Sequence, residues 1–230
     1  MEDNVYAVIT GDIVNSSKLS PIESEKLIND ILVFGKKIST IESFNYILID
    51  IFRGDSFQII VKKPEKALYI AMLFRLYVRY RSNKVIGKMY DARIAIGIGH
   101  IESFNENMDV RMMTGEAFVK SGHLIDELKK QNTIRCSSIW DKYTNSVLDA
   151  CSISIDIIIK SMTSRQLDVF FNRLIHPTQL ETSKRLKIAP QRTSQYLKHA
   201  YYKQAIDLTD LFGCTVTRKI KSSNEQPCKS

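Results

Sequence analysis

The chain has few of the residues that usually announce a chemistry. Its four cysteines (Cys136, Cys151, Cys214 and Cys228) form no C-x-x-C pair and have no metal-ligand spacing. That argues against a disulfide scaffold and fits free thiols in a reducing cytosol. There is no H-E-x-x-H, no G-x-S-x-G and no other nucleophile constellation, and Gly97-Ile98-Gly99 does not go on to complete a dinucleotide-binding G-x-G-x-x-G. The longest apolar stretch, Val147 to Ile159, is interrupted by Asp149, Ser152, Ser154 and Asp156. A membrane span needs about 20 apolar residues. With no basic and apolar leader at the N-terminus either, the expectation is a soluble, cytoplasmic protein with no membrane partner. Internal repeats and low-complexity segments are also missing.

Charge is present but unevenly distributed. From Lys160 to Ser230 there are 13 Lys and Arg against 5 Asp and Glu, which accounts for the whole net charge of +8. The first 159 residues are neutral. A basic C-terminal part suits a polyanion partner, although a solvated basic surface would look the same.

Apolar periodicity divides the chain in two. Strands are expected at Val5–Thr10, 46–51, Phe57–Val61, Ala92–Gly99 and 133–137, with helices from Pro21 to Ile38, Pro64 to Arg81 and Thr114 to 130. Ser20, Pro21 and Glu23 combine a cap, a first-turn proline and a capping box. In the first helix Ile22, Leu27, Ile31, Leu32 and Phe34 are expected to be buried. The order β-α-β-β-α-β-α-β predicts an α+β fold, a ferredoxin-like palm with helices on one face, over residues 1–138. Residues 139–214 read as an all-α domain, with one helix running from Gln191 to about Phe212. Residues 215–230 read as a flexible basic tail.

Two Gly-Asp pairs carry most of the chemistry. Gly11-Asp12 ends the first strand and Gly54-Asp55 sits in the turn of the second and third. Gly-Asp is also an ordinary turn pair. In neighbouring strands, however, Asp12 and Asp55 can share a magnesium or manganese ion, which binds hard oxygens and is often held by one or two carboxylates plus substrate phosphates. The backbone of Ile13 is a further candidate ligand. Gly11, Val14, Asn15 and Ser16 form a candidate phosphate turn. Gly54 leaves room for a nucleotide, and Arg53 and Arg111 are candidate phosphate contacts, with ordinary surface ion pairing as the alternative.

The segments Ala7–Ser16, 52–58, Ala92–Gly99, Gly115–Phe118 and Ser121-Gly122 resemble the SatD family of bacterial proteins. More remotely, residues 4–137 resemble the palm of class III nucleotide cyclases and diguanylate cyclases. Asp12-Ile13 and Gly54-Asp55 stand where those enzymes hold their metal. The resemblance implies nucleotide and magnesium binding and a homodimer. It does not carry over the cyclases' helical Asn and Arg, whose positions here are Val119 and His123, nor the purine-contacting Lys, whose position is Ile51.

Residues 178–198 have the spacing of a bacterial helix-turn-helix. Ser183 is small at the expected crossing point, Leu186 and Ile188 bracket the turn, and Pro190 opens the second helix. Gln191, Arg192, Ser194 and Gln195 would reach base edges, while Lys184, Arg185, Lys187 and Lys198 would reach phosphates. A dimerising helical hairpin is the alternative. Together these features predict a cytosolic regulator that couples a nucleotide-binding palm to DNA. The competing expectations are a divergent nucleotidyl cyclase or transferase, and a dimeric interaction protein with an inactive palm.

Overall fold

Among the described residues, strands β1 (Val5–Ile13), β2 (Ile47–Ile51), β3 (Ser56–Val61), β4 (Ala92–His100) and β5 (Ile134–Ser138) form one mixed sheet in the order β2-β3-β1-β4-β5. The structure is a computed structural model describing residues 5–41, 44, 47–51, 54–102, 104, 109–128 and 134–224. β1 lies between antiparallel neighbours β3 and β4, and β5 runs parallel to β4. This is the α+β palm order. Strand alternation sends Ala7, Ile9 and Ile13 of β1, with Ile94, Ile96 and Ile98 of β4, to one face. Val8 and Thr10 point to the other.

The first face is covered by α1 (Pro21–Ser39), α2 (Ala67–Val85) and α4 (Lys142–Ser161). The start of α1 follows from its sequence: the Ser20 hydroxyl accepts from the Glu23 N–H, the Glu23 carboxylate accepts from the Ser20 N–H, and Pro21 takes the first position. α3 (Glu116–Glu127) is the exception to a one-faced helical layer. It lies on the opposite side, where the Ser121 hydroxyl accepts a hydrogen bond from Thr10 at 3.0 Å. Gly97 makes that approach possible, since a Cβ there would come within 2.2 Å of the Ala117 carbonyl oxygen.

The remaining helices are α5 (Ser164–Ile175), α6 (Gln179–Leu186), α7 (Pro190–His199) and α8 (Tyr202–Asn224). α5 and α8 enclose α2 from behind, and α6 and α7 pack on α5. Ala67, Leu68, Ile70, Ala71, Met72, Leu73, Phe74, Leu76 and Val78 are all fully buried, which a helix achieves only when covered on every side. One apolar core runs from the sheet through α2 to Phe170, Phe212 and Val216. Inside it the Arg75 side chain of α2 is fully buried. It donates to Asp91 through Nε at 2.8 Å and Nη2 at 2.9 Å, and to Asp156 of α4 through Nη1.

Several expectations change. β1 continues through Gly11 and Asp12 to Ile13, because its pairing with β3 and β4 continues. Ile22 is 79% exposed; the buried stripe of α1 is Leu27, Ile28, Ile31, Gly35 and Ile38, and Ile22 lies well round the helix from it. The helix expected from Gln191 to Phe212 is broken after His199, where Tyr201 takes a left-handed φ of 54° and the chain turns from α7 into α8. The expected tail is helical as far as Asn224, because Val216 is buried in the shared core.

Candidate functional site

The register of the central strands builds one end of the sheet. Asp12 lies opposite Ser56 on β3 and opposite Arg93 on β4, and the Ile13 N–H donates to the Asp55 carbonyl at 3.3 Å. Asp12 and Asp55 are thus diagonal neighbours across the β1–β3 pair. Their carboxylates have different partners. Asp12 pairs with the Arg93 guanidinium, whereas Asp55 accepts from the Ser16 hydroxyl at 2.5 Å. Asp55 and Gly54, the latter at φ 48°, line a cleft of about 540 Å³ with Ser16, Ser17, Ser24 and Asn29. This cleft lies between the β2–β3 turn and the start of α1, and Asp12 is not in its described lining.

The phosphate turn is smaller than its sequence suggests. The Val14 N–H donates to the Asp91 carbonyl at 2.8 Å, so it is already committed to the protein. Gly11 is a mid-strand residue, and its missing side chain is replaced by the Phe57 ring, which a Cβ would approach to 2.1 Å. Asn15, left-handed at φ 58°, starts a short 3-10 turn at Ser16–Lys18 and leaves the Ser16 hydroxyl facing Asp55. The Ile13 side chain has no ligand atom and packs in the core at 1% exposure, so only its backbone carbonyl could serve as a ligand. Arg53 lies outside the described residues.

Arg111 stands elsewhere, in the turn Val110–Met112 that follows β4. Its Nε donates to both Asp109 carboxylate oxygens at 3.0 Å and lies 3.2 Å from Asp50 of β2. Arg111 holds the Asp109 carboxyl well below the usual carboxylate range. Burial, followed by the contact with Asp109, pushes the Asp50 carboxyl up. Among the described residues, no contact brings Arg111 to Asp55.

By ligand type, the Asp12 and Asp55 carboxylates with the Ile13 carbonyl suit magnesium or manganese, because all are hard oxygens. No group of three or more His, Cys, Asp or Glu is placed to hold a metal among the described residues. An ion at this edge would therefore complete its shell with water or phosphate oxygens. Sequence reasoning did not identify Arg93 as the partner of Asp12. The antiparallel register was the available signal, because it sets the two residues opposite each other.

At the other end of the chain, α6 and α7 form a bihelical unit. Ser183 and Thr193, both buried, meet at the crossing, where the Ser183 hydroxyl donates to Thr193 Oγ1 at 2.8 Å. Lys187 ends α6 in the left-handed region at φ 52°, and the Ile188 N–H closes the turn on the Ser183 carbonyl at 3.1 Å. Lys184, Arg185, Lys187, Gln191, Arg192, Ser194, Gln195 and Lys198 are all exposed. Arg192 lies over the Tyr196 ring at 6.0 Å. Arg185 turns inward instead, donating from Nε to the Asn172 amide oxygen of α5 at 3.1 Å. Leu186 and Ile188, which bracket the turn, are half-buried.

No protein-family model and no curated protein matches the chain. Solved structures with a similar chain path include the guanylyl cyclase Cya2, at 19% identity and a TM-score of 0.44, covering 59% of this chain and 76% of that one. The guanylyl cyclase domain of the RhoGC fusion protein from the aquatic fungus Blastocladiella emersonii is 16% identical at a TM-score of 0.45, covering 59% of this chain and 80% of that one. The active GGEEF domain of a diguanylate cyclase from Vibrio cholerae is 12% identical at a TM-score of 0.43, covering 60% and 85%. Likeness at this level says nothing of activity, and the palm order is read from this chain's own strand register. No helix among the described residues is long and apolar enough to cross a membrane.

Proposed function

We propose that the protein is a cytosolic regulator of the SatD type. Its palm binds a nucleoside phosphate with magnesium, and its C-terminal bihelical unit binds DNA as part of a homodimer. The observation that carries the first half is the diagonal placement of Asp12 and Asp55 on neighbouring strands, with Asp55 lining a serine-rich cleft. Magnesium would be held by the two carboxylates and would neutralise phosphate charge. Ser16 orients Asp55, and Arg93 balances Asp12 until the ion arrives. The second half is supported by the Ser183–Thr193 crossing and by exposed Arg192, Ser194 and Gln195 on α7. The alternative of a divergent cyclase or nucleotidyl transferase uses the same aspartates. It draws no support from α3, where Val119 and His123 offer no amide and guanidinium pair.

Titration calorimetry with nucleoside triphosphates, with and without magnesium, tests the palm. Binding is expected for the wild type and lost in the Asp12→Ala/Asp55→Ala double variant. Binding that survives the double substitution refutes the assignment, and turnover to a cyclic or transferred product would favour the enzyme. Duplex DNA binding measured against salt tests the other half. Affinity should fall steeply as salt rises and weaken in Arg192→Ala; no binding at low salt would leave a helical interaction module.

A further inference from the structure

A second opening lies at the far end of α1, away from the Asp55 cleft. It is a groove of about 530 Å³ between α1 and α2 on one side and α5 and α6 on the other. This is within the size range of small-molecule sites. Its wall is aromatic. Phe34 and Tyr77 stack at 3.9 Å, Tyr80 and Phe171 stack at 4.7 Å, and Tyr77 joins the two pairs at 5.8 Å from Phe171.

The charged side chains lining the groove are cationic, and one of them, Arg81, is paired with Asp30. Lys37, Arg81 and Arg185 line the groove, and no Asp or Glu is in its described lining. Arg81 is fixed by Asp30, at 2.8 Å from Nε and 3.1 Å from Nη2. Arg185 is fixed only through Nε by Asn172, and its terminal nitrogens make no hydrogen bond among the described residues. Beside it, His176 Nε2 is buried with no hydrogen-bond partner. A buried polar atom left unpaired is costly.

We infer that this groove binds a small planar aromatic anion, its ring against the Tyr80–Phe171 wall and its anionic group between Arg185 and Lys37. Charge complementarity selects the anion and the aromatic wall selects a flat ring. An aromatic carboxylate and a nucleoside monophosphate share this chemistry. The inference stands apart from the metal-dependent reading of the palm, because it uses none of the same residues.

Anilinonaphthalene sulfonate, a fluorescent aromatic anion, is the probe, titrated into the full-length protein without magnesium. Saturable binding at one site is expected, weakened about tenfold in Arg185→Met, as suits loss of a hydrogen bond to a charged group. Lys37→Met, on an exposed side chain, should weaken binding in the same direction without altering the thermal midpoint. Asp12→Ala/Asp55→Ala should leave it unchanged, so the outcome is independent of the palm proposal. Competition separates the two sources. Displacement by benzoate identifies an aromatic carboxylate, and displacement by adenosine monophosphate but not benzoate identifies a nucleotide. Affinity unchanged in both Arg185→Met and Lys37→Met, or displacement by neutral benzyl alcohol as effective as by benzoate, would overturn the proposal.

Discussion

Replacing Arg75 with methionine keeps most of the buried volume and removes the charge, which leaves Asp91 and Asp156 without the buried partner they share. Breaking a buried ion pair from one side costs about 3–5 kcal/mol. Arg79 still reaches Asp91 at 2.7 Å and Lys160 still reaches Asp156 at 2.7 Å, so the lower end, about 3 kcal/mol, is expected. For a chain of this length that lowers the thermal midpoint by about 6–12 °C. The loss should also depend on pH. In the wild type, burial pushes the Asp91 carboxyl up, but the Arg75 and Arg79 guanidiniums more than offset it and leave the group below its ordinary value. Its contribution is therefore present above the unfolded value of about 3.9 and is lost as pH falls through the depressed folded value. Without Arg75 the largest of the causes that lower this carboxyl is gone, while burial still pushes it up. The variant therefore gives up less stability than the wild type as pH falls through the unfolded value. Urea unfolding across that fall in pH should show a gap that is widest at neutral pH and narrows in acid. A gap that stays flat, or a loss below about 1 kcal/mol at neutral pH, refutes the assignment of Arg75 as the charge that ties α2 to α4 and to the start of β4.

Other perturbations test different parts of the fold. Lys187→Gly relieves a left-handed lysine and should raise stability by about 1 kcal/mol in thermal unfolding, while weakening DNA binding by one phosphate contact. Gly97→Ala puts a methyl group against the Ala117 carbonyl and the Ser121 amide of α3. It should cost about 1–3 kcal/mol, and hydrogen exchange should show α3 loosening before α2. Ser183→Leu overfills the α6–α7 crossing and should abolish DNA binding while the far-ultraviolet dichroism changes little; retained binding would mean that the bihelical unit is not the reader. Peptide mapping after brief alkylation should find Cys214, which is exposed, modified well before Cys136, whose thiol burial pushes far up.

The sheet was legible because its information is local and repetitive. Alternation in Val5–Ile13, Ser56–Val61 and Ala92–His100, with the Ser20-Pro21-Glu23 start, placed most strands and helices to within a few residues. The break at Tyr201 left no trace in sequence, since His199-Ala200-Tyr201-Tyr202 contains no glycine or proline. A buried Ala200 and the packing of α8 impose it. Gly11 misled for the opposite reason. A Gly-Asp pair implies a turn, but here the glycine makes room for Phe57, and cross-strand packing of that kind is visible only once the register is known. The Asp12–Asp55 neighbourhood followed from strand order. The partners Arg93 and Ser16, and the commitment of the Val14 amide to Asp91, depend on side-chain direction and loop path, which periodicity does not encode.

The enclosure of α2 has a consequence for how the protein is made. Its outer side is covered by segments as late as Phe212 and Val216. A ribosome adding about 5–20 residues per second needs on the order of ten seconds to go from the end of α2 to that point. For that interval the emerging sheet carries a helix with an uncovered apolar flank, a natural substrate for a chaperone. Sequences that slow translation between α2 and α8 should therefore lower the yield of folded protein more than equal delays placed before β1 or after Val216.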